Sequence, residues 1–315
     1  MADKIWGCLL HLSFNMWEEY IYAGRPFRGY RAALRLSEPL WNDAVESMAR
    51  EGMNLVVIDL GDAVSYMSHP EIAVQGAWSV ARLREELKRM RKLGLEPIPK
   101  LNFSAAHDTW LKTYSRMVST EEYYSVCSAL IAEVADIFDK PRFFHLGMDE
   151  ETAENQKSYN FVVVRQEERW WGDFYFLAGE VEKAGARPWI WSDYVWHHPE
   201  LFYRNMPKSV IQSNWYYGEN FDLDHLEGKE RTYVSAYVEL GSDGYDQIPT
   251  GSFHADNKES IGKTVRFGRD HLEGANLLGF LQTFWKPTIE EYRERILEGI
   301  RLAGEAKRWY TGEAK

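Results

Sequence analysis

The sequence predicts a (β/α)8 barrel, one domain over residues 1–315. Three observations point to it. Short apolar runs alternate with longer segments of helical periodicity, strand then helix, eight times over. The short runs are rich in Val, Ile, Leu and aromatics at successive positions, as strands covered on both faces are. No Pro/Gly/Ser-rich linker or low-complexity stretch divides the chain. Its 315 residues exceed the usual single core, but barrels of this class run to roughly 250 residues or more as one unit. A doubly wound open sheet is the alternative, yet no glycine-rich phosphate fingerprint follows the first strand.

The strand-like runs are Trp6–Leu12, Asn54–Leu60, Glu96–Phe103, Phe143–Gly147, Pro188–Ser192, Val210–Asn214, Thr232–Val238 and Leu278–Phe284. Ser37 caps the first helix, with Pro39 in its first turn, Leu40, Ala44, Val45 and Met48 on one face and Gly52 at its end. Ser79 opens a second, which stops at Gly94. Ser119-Thr-Glu-Glu122 reads as a capping box before Tyr123, Val126, Leu130, Val134 and Ile137. A helix near Gln166–Lys183 precedes the fifth strand. The helices after strands five and six look short or irregular, and Asn257–Leu272 supplies the seventh. Thr288-Ile-Glu-Glu291 reads as a second capping box and opens the last helix, Thr288–Lys307.

Composition removes several classes. The net charge is −11 and there is no basic stripe, which argues against nucleic acid and anionic membrane as partners. No apolar run approaches the roughly 18 residues of a membrane span. The N-terminus runs into an apolar strand without a signal-peptide pattern, so a cytoplasmic protein is expected. Cys8 and Cys127 are the two cysteines, too few for a disulfide framework or a thiolate metal site. Aromatics are the outlier, with 13 Trp, 18 Tyr and 15 Phe. Trp and Tyr join a flat apolar face to a polar tip, which suits the apolar face and polar edges of a sugar ring and equally suits core filling. Their positions must decide.

In a barrel the C-terminal strand ends build the site. Phe143–Leu146 reads as a buried strand, Gly147 frees the backbone to turn, and Asp149, Glu150 and Glu151 follow. Buried carboxylates are costly unless paired or protonated, and neighbouring acids can hold different protonation states. The same run also reads as an acid-rich helix start. The other strand ends tip the balance. They carry His11, Asn15 and Trp17; Asp59 and Asp62; Asn102, His107, Asp108 and Trp110; His145; Trp191, Asp193 and Trp196; Asn214, Trp215, Tyr216 and Tyr217; Tyr237 and Glu239; Gln282 and Trp285. A metal site is the chemical rival, but no His-x-His or His-Glu-x-x-His pair is present. A Gly-x-Ser-x-Gly nucleophile elbow is also lacking.

His145-Leu-Gly-Met-Asp-Glu150 resembles the His-x-Gly-x-Asp-Glu motif of glycoside hydrolase family 20, the β-N-acetylhexosaminidases. Asn102-Phe-Ser-Ala-Ala-His107, Ile190-Trp-Ser-Asp193 and Gly279-Phe-Leu-Gln-Thr-Phe-Trp285 are similar to that family's third-, fifth- and eighth-strand segments, though Ala-Ala stands where the family has Pro-Gly. The resemblance implies a retaining exo-enzyme without metal or cofactor. The substrate's acetamido oxygen attacks the anomeric carbon and forms an oxazolinium ion, an exception to the two-carboxylate scheme. It implies Glu150 as acid and then base, with a raised pKa, and Asp149 as acceptor of the acetamido N–H. His11, Asp59, His107, Trp191, Asp193, Trp215, Tyr216, Tyr237, Gln282 and Trp285 become the candidate substrate contacts, with Tyr216, Tyr217, Tyr237 or Tyr245 on the acetamido oxygen. The expected partner is a glycan bearing N-acetylhexosamine. Two departures affect the sugar hydroxyls: no arginine occurs on strand one before Arg25, and Lys286 replaces the acid after the strand-eight tryptophan. They favour GalNAc slightly over GlcNAc. A non-catalytic sugar-binding barrel and a metal-dependent amidohydrolase or deacetylase are the competing functions.

Overall fold

A computed structural model describes residues 4–21, 24–272, 274 and 276–313. Eight parallel strands form the barrel: β1 (Ile5–His11), β2 (Leu55–Asp59), β3 (Glu96–Lys100), β4 (Phe143–His145), β5 (Arg187–Trp191), β6 (Ile211–Ser213), β7 (Thr250–Ser252) and β8 (Gly279–Thr283). Each pairs with its neighbours in chain order, and β1 pairs with β8. The ring closes between β6 and β7 through Ile248 N–H to Gln212 O at 2.9 Å and Thr250 N–H to Asn214 O at 3.0 Å. Alternation decides which side chains fill the barrel. Ile5, Leu9, Leu55, Val57, Ile98, Trp189, Ile211 and Leu281 point inward. Trp6, Cys8, Leu10, Val56 and Ile58 point outward under the helices.

The helices are α1 (Glu38–Arg50), α2 (Val80–Lys92), α3 (Glu121–Ile137), α4 (Glu167–Lys183), α5 (Tyr194–His197), α6 (Pro199–Asn205), α7 (Gly228–Ser242), α8 (Ser260–Leu272) and α9 (Arg293–Thr311). Ser37 and Ser79 cap α1 and α2 as their spacing predicts, each accepting a backbone N–H at 3.2 Å. None of the described helices is long and apolar enough to cross a membrane.

Three expectations need correction. Thr232–Val238 is not the seventh strand but the middle of α7. Its β-branched and aromatic residues mimic a strand, yet Val234, Tyr237 and Leu240 recur at three-residue spacing and bury one helical face. The true β7 is Thr-Gly-Ser, which carries no apolar signal. The cap of α3 is Thr120, whose hydroxyl accepts from Tyr123 N at 3.2 Å, while Ser119 donates to Asp173. The last helix starts at Arg293 rather than Thr288. The Thr288 hydroxyl instead donates to the His11 carbonyl at 2.7 Å.

Candidate active site

β4 is short, and the turn after it places the acids. Gly147 has φ +72°, and a Cβ there would lie 2.0 Å from Asn102 Oδ1. Only glycine fits both the left-handed backbone and the close approach. Asn102, just past β3, therefore sits against the turn. Its amide donates to Asp149 Oδ1 at 2.9 Å and its oxygen accepts from Met148 N at 3.3 Å. Glu150 also has positive φ, +53°, unusual for a side chain with a Cβ. Its N–H donates to Asp193 Oδ2 at 2.9 Å, and Asn155 Nδ2 donates to its carbonyl at 3.0 Å. Strained backbone of this kind persists where its surroundings over-determine it.

Glu151 is part of the clasp that holds this turn. Arg165 meets its carboxylate through Nε at 2.9 Å and Nη2 at 2.5 Å, and also reaches Asp173 of α4 at 3.0 Å and the Phe103 carbonyl at 2.8 Å. The pair is buried on both sides.

His107 joins the two acids. Its Nε2 is 3.2 Å from Glu150 Oε2 and 3.4 Å from Asp149 Oδ2. Burial pulls the His107 pKa down, but Asp149 and Glu150 outweigh it, and the net shift is upward. Burial pushes the Glu150 carboxyl up, but His107, Arg28 and Arg25 hold it below the usual range. This reverses the expectation of a raised Glu150: its shift is downward, and that of His107 is upward. Burial raises Asp149, against His107 and with Glu150. Asp193 is pushed up to about 8 by burial and by Asp149.

The sign of that last shift gives a stability prediction. Folded Asp193 keeps its proton up to about pH 8, against an ordinary 3.8. Across that window unfolding releases a proton, so stability falls as pH rises. Asp193→Asn can keep the bond to Glu150 N through its amide oxygen without this liability. Its melting temperature should fall less between pH 4 and 8 than that of the wild type. Parallel curves in scanning calorimetry would show that Asp193 is not the source.

Above the acids lies a pocket of about 160 Å³ lined by Trp17, Arg28, Asp149, Glu150, Trp191, Trp215, Tyr217, His254 and Trp285. That is small beside the roughly 300–1,000 Å³ of drug-sized sites. Trp285 meets Trp191 at 5.6 Å and Trp17 at 5.8 Å between ring centres. Its indole N–H donates to the Tyr217 hydroxyl at 3.0 Å, and Tyr217 stacks on Trp215 at 5.2 Å.

Of the residues singled out in the sequence, Trp17, Asp149, Glu150, Trp191, Trp215 and Trp285 line this pocket, with Tyr217 among the tyrosine candidates. His107 and Asp193 stand directly behind the acids. His11 and Asp59 lie in the barrel, buried, and are not among the lining residues. Asp59 is ion-paired with the buried Lys100, and His11 Nδ1 is 3.6 Å from it. Burial pushes Asp59 up, but Lys100 and His11 together hold it below the ordinary carboxylate range. Gln282 faces α9, donating to Gly299 O at 3.4 Å. Tyr216 packs on Phe221 at 5.1 Å. Tyr237, placed at a strand mouth by the misread β7, is buried on α7 against Phe267 at 5.9 Å. Tyr245 gives its hydroxyl to Met206 O at 2.9 Å, outside the pocket lining.

Arg28 and His254 escaped the sequence reading. Arg28 sits in the aperiodic loop after β1, where only its stacking on Trp17, at 4.4 Å, gives it a place. His254 follows β7 by two residues and was lost with that strand. Among the described residues, His107, Asp149 and Glu150 are the group that could hold a cation, with ligand atoms within 4.8 Å of one another.

Fold and site together define a (β/α)8 barrel with an acidic, tryptophan-walled pocket at the C-terminal end of its strands. Solved structures of this architecture include β-N-acetylhexosaminidases of glycoside hydrolase family 20. A chitobiase from Flavobacterium johnsoniae matches with a TM-score of 0.66 at 17% identity, over 95% of this chain and 47% of that one. A Streptomyces plicatus N-acetyl-β-hexosaminidase in complex with Thio-NAglucal gives 0.65 at 14%, over 97% and 63%. The pneumococcal virulence factor StrH gives 0.62 at 15%, over 98% and 85%. The chain thus spans about half to two-thirds of the first two. At these identities the likeness is one of fold. No protein-family model matches the chain, and no curated protein matches it in sequence.

Proposed function

We propose that the protein is a retaining exo-β-N-acetylhexosaminidase that uses the substrate's own acetamido group as nucleophile. The observation that carries this reading is the Asp149–Glu150 pair, fixed by Gly147, Asn102 and Asp193 at the base of a tryptophan-walled pocket. Neighbours of the same fold include a Streptomyces plicatus β-hexosaminidase in complex with GlcNAc. The small pocket suits one terminal sugar.

Glu150 gives its proton to the glycosidic oxygen as the C1–O bond breaks. The acetamido oxygen forms a bond to C1 and the ring closes to an oxazolinium ion. Asp149 accepts the acetamido N–H and offsets the positive charge. Glu150, now anionic, takes a proton from water as that water attacks C1, and the oxazolinium opens with retention. His107 Nε2, 3.2 Å from Glu150 Oε2, holds that carboxyl down, and displacement of water by a sugar would favour its neutral form. Tyr217, which lines the pocket and accepts from Trp285, is the tyrosine that would meet the acetamido oxygen on this reading.

The test is a set of 4-nitrophenyl β-glycosides. The N-acetylhexosaminides should be hydrolysed, their counterparts without the acetamido group should not, and a thiazoline mimic should bind far more tightly than the product sugar. Comparable rates with and without the acetamido group would defeat neighbouring-group participation. The preference for GalNAc rested on a missing arginine and on Lys286. Arg28 now supplies a cation at the pocket, so Lys286 alone supports it, and paired GalNAc and GlcNAc substrates decide the matter. The cluster of His107, Asp149 and Glu150 favours a metal-dependent deacetylase as second reading. Zinc-dependent release of acetate without glycoside cleavage would establish it.

A further inference from the structure

The rim of the pocket carries charge opposite to that of the molecule. The chain has a net charge of −11, and buried Arg165 and half-buried Arg295 are ion-paired, with Glu151 and Asp256. Among the described residues Arg28 has no such close pair; Glu150 and Glu18 act on it from further off. Its Nε is buried without a hydrogen-bond partner, and its guanidinium stands over Trp17 at 4.4 Å. Lys286 follows the pocket tryptophan Trp285. Its ammonium stands 4.2 Å over Phe27 and 5.4 Å over Tyr292, on aromatic faces rather than carboxylates. Acids that influence Lys286 are engaged elsewhere: Asp256 with Arg295 at 2.8 Å, Glu291 with Tyr292. Burial and then Arg25 push Arg28 down, and burial, Arg295 and Arg28 push Lys286 down. Glu150 is the acid with most influence on Arg28, and it becomes neutral when it takes up the proton it must donate.

Arg and Lys only donate hydrogen bonds. A neutral sugar edge offers hydroxyls that both donate and accept, and is served well by carboxylates and amides. Two donor-only cations, one over Trp17 and one following Trp285, whose ring meets Trp17 at 5.8 Å, match a group that only accepts. We propose that Arg28 and Lys286 form a subsite for an anionic substituent, a sulfate ester or a carboxylate, on the saccharide whose terminal N-acetylhexosamine enters the pocket. The proposal rests on the saccharide reading of the pocket, and it does not need the oxazolinium chemistry.

Calorimetric titration of the whole protein tests it with three ligands: N-acetylglucosamine, its 6-sulfate, and a disaccharide of N-acetylhexosamine β-linked to a uronic acid. At low salt at least one anionic ligand should bind about 10–100-fold more tightly than the neutral sugar, the worth of one charge-assisted hydrogen bond. The sulfated sugar gaining most places the anion on the sugar in the pocket; the uronate gaining most places it on the neighbouring unit. The ratio of anionic to neutral affinity should collapse in Arg28→Gln and Lys286→Met, persist in Lys286→Arg, and shrink with added salt. Equal affinity for all three ligands, or a ratio indifferent to both substitutions, overturns the subsite. Hydrolysis of neutral chromogenic glycosides is scored separately. If it is absent while the binding ratio stands, the glycosidase reading fails and the anion subsite survives.

Discussion

Glu150→Gln should lower turnover by about 10²–10⁴-fold, the usual worth of a general acid, while the product sugar binds nearly as before. Glutamine keeps the shape of the side chain and an oxygen that His107 can reach. It removes the one proton that can be passed to the leaving oxygen. The loss should depend on the leaving group. A nitrophenolate departs with little help and will show the smaller deficit; an alkyl or sugar alcohol needs protonation and will show the larger one. His107 is not expected to substitute, because it is buried behind the acids and does not line the pocket. Near-wild-type rates on an alkyl glycoside would falsify this assignment.

Gly147→Ala should disable both the turn and the pocket. The added Cβ would sit 2.0 Å from Asn102 Oδ1 and 2.2 Å from its Cγ, in a backbone at φ +72°. Left-handed strain and displacement of a buried amide together should cost on the order of 3 kcal/mol or more. Activity should fall further than stability, because Asn102 carries the 2.9 Å bond to Asp149. Urea denaturation with parallel kinetics measures both. The Asn102→Ala background separates the two causes, since removing the amide leaves the strain and relieves the clash. A penalty unchanged in that background would mean that the collision with Asn102 is not the source.

The legible part of the structure is the part where local chemistry and tertiary placement agree. Ile5–His11 and Leu55–Asp59 are largely apolar on both faces because both faces are covered. Gly147 before two acids was readable because a turn that tight needs glycine. β7 was not readable: Thr-Gly-Ser earns its place from its neighbours' hydrogen bonds and not from its own side chains. That one miss moved Tyr237 to the wrong place and hid His254. Arg28 was invisible for another reason, since its position depends on an irregular loop folding back over Trp17. The protonation of Glu150 was misjudged because burial argues for a raised pKa, and the opposing groups, His107 and Arg28, come from distant parts of the chain.

The Glu151–Arg165 pair has a consequence for how such an enzyme could change. It closes residues 152–164 into an excursion whose two ends are held fast at 2.5 and 2.9 Å. Its first residues also hold Glu150, through Thr152 N–H at 2.7 Å and Asn155 Nδ2 at 3.0 Å to the Glu150 carbonyl. The excursion reaches solvent with Phe161 and Val162 largely uncovered. Closing a longer loop costs little more than closing a short one. Beyond Asn155, this stretch could therefore be exchanged for segments of other lengths and surfaces while the ion pair and the bonds to the Glu150 carbonyl keep the turn in place.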